Sequence, residues 1–323
     1  MKNSRLSLLA MAITVCVAAA TSRAALLSDY PFDTDATNLV DGATSGTLVN
    51  GAQIVPGKIG TGAVILDGVS QYVDITANGY PNSVAGMKIG SATFWMKSSV
   101  TNSGLYPVIG SSQPGFQIFE INLLGTKMSM LNRAHEPPGS YGPASNKGVF
   151  NDGAWHQVTW TWNVTPAGEA GVGGTSAVYL DGVLNATPNP SGTGWIGSNT
   201  IAPWNSPLRI GSAERAYYFA GSLDDVAIWS TSLTAAQARA VYNLGNDATL
   251  NYNARDIDTL FTVFAAGPGG KGATGDGKMW QYATGLTGNA GDVVNNHAAV
   301  ILDGSGNGVA IVSSTRQVER KTP

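Results

Sequence analysis

Two carboxylates stand side by side at Asp224 and Asp225, inside the strand-like stretch GSLDDVAIW of a chain with only 12% charged residues. Acids in an apolar strand need partners: hydrogen bonds from turn N–H groups, or a cation such as Arg209 or Arg215. Alternation along a strand sends the two to opposite faces, so at most one need be buried. Acid–base catalysis has less to work with. Glu occurs only at 120, 136, 169, 214 and 319, and only Glu120 lies in a clear strand. Retaining glycosidases need two carboxylates about 5–5.5 Å apart, yet the residue two beyond Glu120 is Asn122. Glu120 therefore reads as a solvated strand residue.

The histidines do no better. His135 precedes a Pro-Pro loop, His156 opens a strand in WHQV, and His297 lies near the C-terminus. None belongs to a His-Glu-x-x-His arrangement, and no Gly-x-Ser-x-Gly elbow occurs. The glycine-rich run GPGGKGATGDG lacks phosphate-loop spacing and reads as turns. Ligand recognition fares better, because aromatic faces between turn formers can stack on sugar rings while polar groups read hydroxyls. The candidate ligand-binding residues are Tyr141, Trp195, Trp204, Tyr217 and Tyr218, with Asn199 and Asn205 near them in sequence.

These residues must be positioned by strands. QYVDIT, SATFWMKS, FQIFEINLL, HQVTWTWNV, SAVYLDGVLN and GSLDDVAIW are each bounded by Gly, Pro, Asn or Ser clusters. In HQVTWTWNV, Val158, Trp160, Trp162 and Val164 alternate with Gln157, Thr159, Thr161 and Asn163, which predicts one buried face. SATFWMKS breaks that rule, since Trp95 and Lys97 share its second face. Asp181-Gly182 predicts a tight hairpin, and a second is expected near Gly125. The one clear helix is expected at about 234–244: Thr234 and Gln237 form a capping box, and Gly245 is placed to end it.

The first 24 residues read as an export signal. Lys2 and Arg5 precede the apolar run Leu6 to Ala20, and Ser22-Arg23-Ala24 offers a cleavage site. The only cysteine, Cys16, lies there, so residues beyond it carry no disulfide or thiolate site. Net charge −3 gives no footprint for nucleic acid or an anionic membrane, and no later stretch is apolar enough for a transmembrane anchor. Residues 25–245 read as one β domain. After the polar stretch that begins at 246, residues 246–323 read as a β-rich appendage or as edge strands.

Taken in order, YPFD (30–33), PGKIGTGAVILDG (56–68), YVDI (72–75), ATFWMK (92–97), WHQVTWTW (155–162), VYLDG (178–182), LRIGS (208–212) and FAGSLDDVAIWSTSLT (219–234) resemble the LamG-like domain. This is the bacterial laminin-G-type branch of the concanavalin A-like lectin/glucanase superfamily. The resemblance implies an all-β fold, a two-sheet antiparallel jelly-roll sandwich with one short capping helix and a small C-terminal β region. It also implies a structural calcium tying a late strand to the N-terminal strand, with Asp224 as ligand and Asp33 as partner. Calcium takes six to eight hard oxygen ligands, which would neutralise an acid in an apolar strand. The glucanase pattern Glu-x-Asp-x-x-Glu is absent. The expectation is therefore an exported, non-catalytic recognition or surface module for a glycan or extracellular protein. A glycan-degrading enzyme and a purely structural envelope protein are the alternatives.

Overall fold

The computed structural model describes residues 26–40, 42–76, 89–102, 104–113, 117–133, 149–163, 175–186, 207–213, 217–246, 252–258, 299–302 and 308–312. Two antiparallel sheets face each other. The eight-stranded sheet runs β12 (Val183–Ala186), β11 (Thr175–Leu180), β10 (Trp155–Asn163), β6 (Ile89–Lys97), β16 (Ala220–Trp229), β4 (Ala63–Asp67) and β3 (Gln53–Val55), with β1 (Leu26–Tyr30) also paired to β16. The six-stranded sheet runs β2 (Thr47–Val49), β5 (Tyr72–Asp74), β13 (Arg209–Ile210), β7 (Leu105–Gln113), β8 (Gln117–Leu124) and β9 (Lys127–Arg133). A short ribbon pairs β14 (Ser212–Ala213) with β15 (Tyr217–Tyr218), and another pairs β17 (Ala299–Leu302) with β18 (Gly308–Val312). This is the all-β jelly-roll sandwich expected from the strand pattern.

The core lies between the sheets. Phe94, Met96, Val158, Trp160, Trp162, Leu223 and Ile228 from one sheet meet Val73, Ile109, Ile121, Leu123, Met128, Met130 and Ile210 from the other. Alternation in β8 and β9 puts Ile121, Leu123, Met128 and Met130 inward, as period two requires. The hairpins also form as expected. Asp181 and Gly182 take φ of 50° and 72° between β11 and β12, and Gly125 takes 59° between β8 and β9.

The eight-stranded sheet departs from one-sided burial. Gln157, Thr159 and Thr161 are buried along with Val158, Trp160 and Trp162. Helix α1 (Ala235–Asn246) lies against the sheet's outer side, where the Tyr242 ring sits 5.8 Å from that of Trp95. Trp95 in SATFWMKS is therefore the floor for a helix. The capping box forms: Thr234 N donates to Gln237 Oε1 at 2.9 Å, and Gln237 N to Thr234 Oγ1 at 3.2 Å. Gly245 lies inside the last turn and does not end the helix. A Cβ there would meet Ile59 Cδ1 at 2.5 Å and Trp95 Nε1 at 2.8 Å, so glycine allows the helix to sit this close.

Candidate functional site

Strand β16 changes partners partway along its length. Ala220–Leu223 pairs with β4, and Val226–Trp229 pairs with β1. The acids occupy the gap between them. The ladder to β6 bulges between Asp224 and Ala227, and Asp225 takes φ of 47°. Both acids are buried, at 0% and 1% exposure, against the expectation that at most one need be. The bulge breaks simple alternation, and backbone donors from distant segments meet each carboxylate. Lys58 N and Ile59 N donate to Asp224 Oδ2 at 2.6 and 2.9 Å. Ala254 N donates to Asp225 Oδ1 at 2.9 Å, and Arg255 N to Asp29 Oδ2 at 2.9 Å. Asp29 lies on β1 and shares a hydrogen bond with Asp225.

The donors at 254 and 255 open a helical turn over 254–258, itself boxed by Asp256 N to Asn253 Oδ1 and Asn253 N to Asp256 Oδ2. Buried acids at the start of a helical turn meet its free N–H groups and the positive end of its dipoles. Burial pushes the Asp29 and Asp224 carboxyls up to about 7, and Asp225 well above its ordinary range. The charge of Asp33 adds to the rise at Asp224.

Asp33 grips the same loop as Asp224. Its Oδ1 accepts Thr61 N at 2.5 Å and Thr61 Oγ1 at 3.1 Å, three residues beyond Lys58. Asp224 Oδ1 is buried with no hydrogen-bond partner among the described residues. An orphaned anionic oxygen close to a second carboxylate is the donor chemistry a hard cation takes, and these residues fit calcium to that extent. Among the described residues, no three acids or histidines converge as a ready cage. Main-chain carbonyls and water would have to supply the other ligands. Arg209 is no partner of Asp224: it lies in the other sheet, its guanidinium 4.4 Å from the centroid of the Tyr72 ring.

A second polar group lies on the six-stranded sheet, on the face turned away from the core. Arg209 stands opposite Gly110, and Gly110 opposite Glu120. Glu120 and Asn122 alternate with the core residues Ile121 and Leu123, so they point outward. Both are nevertheless buried, at 1% and 0% exposure, which corrects the reading of Glu120 as solvated. Local alternation predicts direction but cannot report what lies above a face. The ribbon β14–β15 provides part of that cover. A Cβ on Gly110 would meet the Ser212 carbonyl oxygen at 2.6 Å and Ala213 Cβ at 3.0 Å, so glycine lets the ribbon rest on β7. Asn122 Nδ2 donates to Glu120 Oε2 at 3.4 Å, while Asn122 Oδ1 is buried without a partner among the described residues.

Of the aromatic candidates, Tyr217 is 43% exposed and Tyr218 half-buried, both on β15 beside this face. Tyr141, Trp195 and Trp204 lie outside the described residues, as do His135, His297 and Arg215. His156 sits between two acids, with Nδ1 2.9 Å from Asp181 Oδ2 and Nε2 3.1 Å from Asp152 Oδ1. The hydrogen bond with Asp181, before any other influence, raises its pKa. The burial of Glu120 and Asn122 as a polar pair was not anticipated from the sequence. Their Glu-x-Asn spacing on one strand, which puts both on the same face, was the available signal.

Two facing antiparallel sheets around one apolar core define a jelly-roll β-sandwich. The chain belongs to the concanavalin A-like lectin/glucanases superfamily, whose Laminin_G_3 family model matches residues 67–239, more than half of its length. Among solved structures, it is similar to domain 4 of AbnA, a GH43 extracellular arabinanase from Geobacillus stearothermophilus, in complex with arabinotriose. That match has 18% identity and a TM-score of 0.50, covering 68% of this chain and 98% of that one. It is also similar to the Ruminococcus gnavus IT-sialidase CBM40 (14% identity, TM-score 0.45, 56% and 96% covered). A third is Trypanosoma rangeli sialidase (16%, 0.48, 69% and 33%). A search of curated proteins gave no match. Among the described residues, no helix is long and apolar enough to cross a membrane.

Proposed function

We propose that the protein is an exported, non-catalytic recognition module that binds a glycan on the outer face of its six-stranded sheet, steadied by one calcium ion. The observation that carries this reading is Glu120 and Asn122, buried on the face opposite the core. Polar side chains covered on that face support the surface above them, on which a ligand would rest. Tyr217 and Tyr218 on the adjoining ribbon add aromatic surface of the kind that packs on sugar rings. Membership of a superfamily of lectins and glucanases agrees with a carbohydrate ligand.

Against catalysis stands the neighbour of Glu120. Hydrolysis with retention needs a second carboxylate close by, and the side chain two residues on along the same face is the amide of Asn122. The export reading rests on the N-terminal signal. The calcium reading rests on Asp224 Oδ1, orphaned near Asp33; calcium there would supply the neutralising charge that burial demands.

A glycan array run with calcium and with chelator, alongside calorimetry of the same samples, tests the reading. Binding of at least one glycan class without turnover is expected, with a melting temperature lowered by chelator. Hydrolysis of the bound glycan would reject the non-catalytic reading. An unchanged melting temperature would reject the calcium ion, and binding only to extracellular proteins would move the ligand class.

A further inference from the structure

Arg209 is a half-buried cation on the outer face of the six-stranded sheet, since its strand neighbour Ile210 points into the core. Among the described residues its guanidinium has one ring or polar partner, the face of the Tyr72 ring. Its Nε is buried without a hydrogen bond, while the two terminal nitrogens, equally unpartnered, reach solvent. No ion pair forms among the described residues, although Asp74 stands directly opposite Arg209 on β5. Asp74 instead accepts Thr76 N through Oδ1 at 2.9 Å, within its own turn. Stacking on Tyr72 steadies the guanidinium plane and leaves its outer edge free to donate. On the other side Arg209 faces Gly110, where the ribbon that carries Tyr217 and Tyr218 rests on β7. An accessible, unpaired cation therefore stands between an aromatic ring and an aromatic-bearing ribbon.

We propose that Arg209 is the anion contact for an acidic saccharide, its terminal N–H groups donating as a fork to a carboxylate of the sugar. This rests on the glycan-binding reading and narrows it to sugars that carry an acid group. A half-buried guanidinium has shed part of its hydration, so an arriving carboxylate competes with less water than at an exposed arginine. The acids nearby restrict the choice further. Asp74 flanks Arg209 on β5, Glu120 lies beyond Gly110 on β8, and the chain carries a net charge of −3. A densely sulfated polymer is disfavoured by such surroundings, whereas a single carboxylate on the fork is attracted at hydrogen-bonding distance.

The test uses the full chain with uronate oligosaccharides, the same oligosaccharides as methyl esters, sulfated galactans and neutral galactans. Wild type is compared with Arg209→Gln and Arg209→Lys. Wild type is expected to bind at least one uronate series at least tenfold more tightly than its methyl ester. Arg209→Gln is expected to bind acid and ester alike. Arg209→Lys should keep a reduced preference for the acid, because an ammonium retains the charge without the fork. The ester comparison needs no substitution, so it decides for or against the acid contact even where a variant fails to fold. Equal binding of acid and ester by wild type, or tighter binding of neutral or sulfated galactans, overturns the inference and leaves the glycan reading standing. A folded Arg209→Gln whose acid preference stays within twofold of wild type overturns the role of Arg209. A wild type that binds no saccharide overturns both readings.

Discussion

The two sheets each bury acids and amides where periodicity alone would put apolar side chains or solvent, and they satisfy them differently. On the eight-stranded sheet, Asp29, Asp224 and Asp225 direct oxygens at main-chain N–H groups of the 58–59 and 254–255 segments. On the six-stranded sheet, Glu120 and Asn122 bond to each other, side chain to side chain; each sheet also leaves a buried oxygen, Asp224 Oδ1 on one and Asn122 Oδ1 on the other, without a partner among the described residues. A buried polar group engaged by backbone fastens the fold. One held by a side chain two residues away on its own strand ties only local structure together. The contrast lies in the partners rather than in residue type, since both groups set acids among apolar neighbours.

The strongest way to break this contrast is Asp224→Ala. It strips the partner from two N–H groups in one step, so unfolding free energy is expected to fall by about 2–4 kcal/mol. Urea unfolding measures it. Glycan binding by the fraction still folded should be unchanged. A loss below about 0.5 kcal/mol would erase the distinction between the sheets.

A smaller effect comes with pH. Asp29 and Asp224 titrate near 7 in the fold against an ordinary 3.8. Between those values the folded chain holds protons that the unfolded chain has released. Stability is therefore full below about pH 4 and declines as pH rises towards 7, by at most about 1.4 kcal/mol per unit for each carboxyl. Thermal melts in chelator between pH 4 and 8 should show that decline, and Asp29→Asn should make it shallower without abolishing it, because Asp224 remains. If calcium binds beside Asp224, adding it at neutral pH should restore much of the loss. A flat profile in chelator would show that these acids are not buried as neutral groups.

The least effect is expected at His156, whose raised pKa reflects Asp181 first and then Asp152. A raised histidine stabilises the fold below its unfolded pKa near 6.5, and the contribution is lost as pH rises through the folded value. His156→Gln should therefore remove a pH-dependent increment of about 1 kcal/mol or less, seen below pH 6.5 and absent at alkaline pH. An equal loss at both pH values would make the ring a packing element only.

Local signals were legible where the partners are local. Thr234 and Gln237 are three residues apart, and Asp181-Gly182 turns on its own backbone, so both were readable from the sequence. The burial of Asp224 was not, because its donors are Lys58 and Ile59, more than 160 residues earlier. Glu120 failed for a related reason: alternation gives the direction of a side chain, whereas cover comes from another part of the chain. Trp95 carried a hint of that kind. Its place opposite the core side signalled a further layer, which proved to be α1.

That helix gives the molecule a front and a back. With α1 packed on Trp95 and the 254–258 turn capping Asp225 and Asp29, the larger sheet is protected on the side away from the core, so its central strands meet protein on both faces.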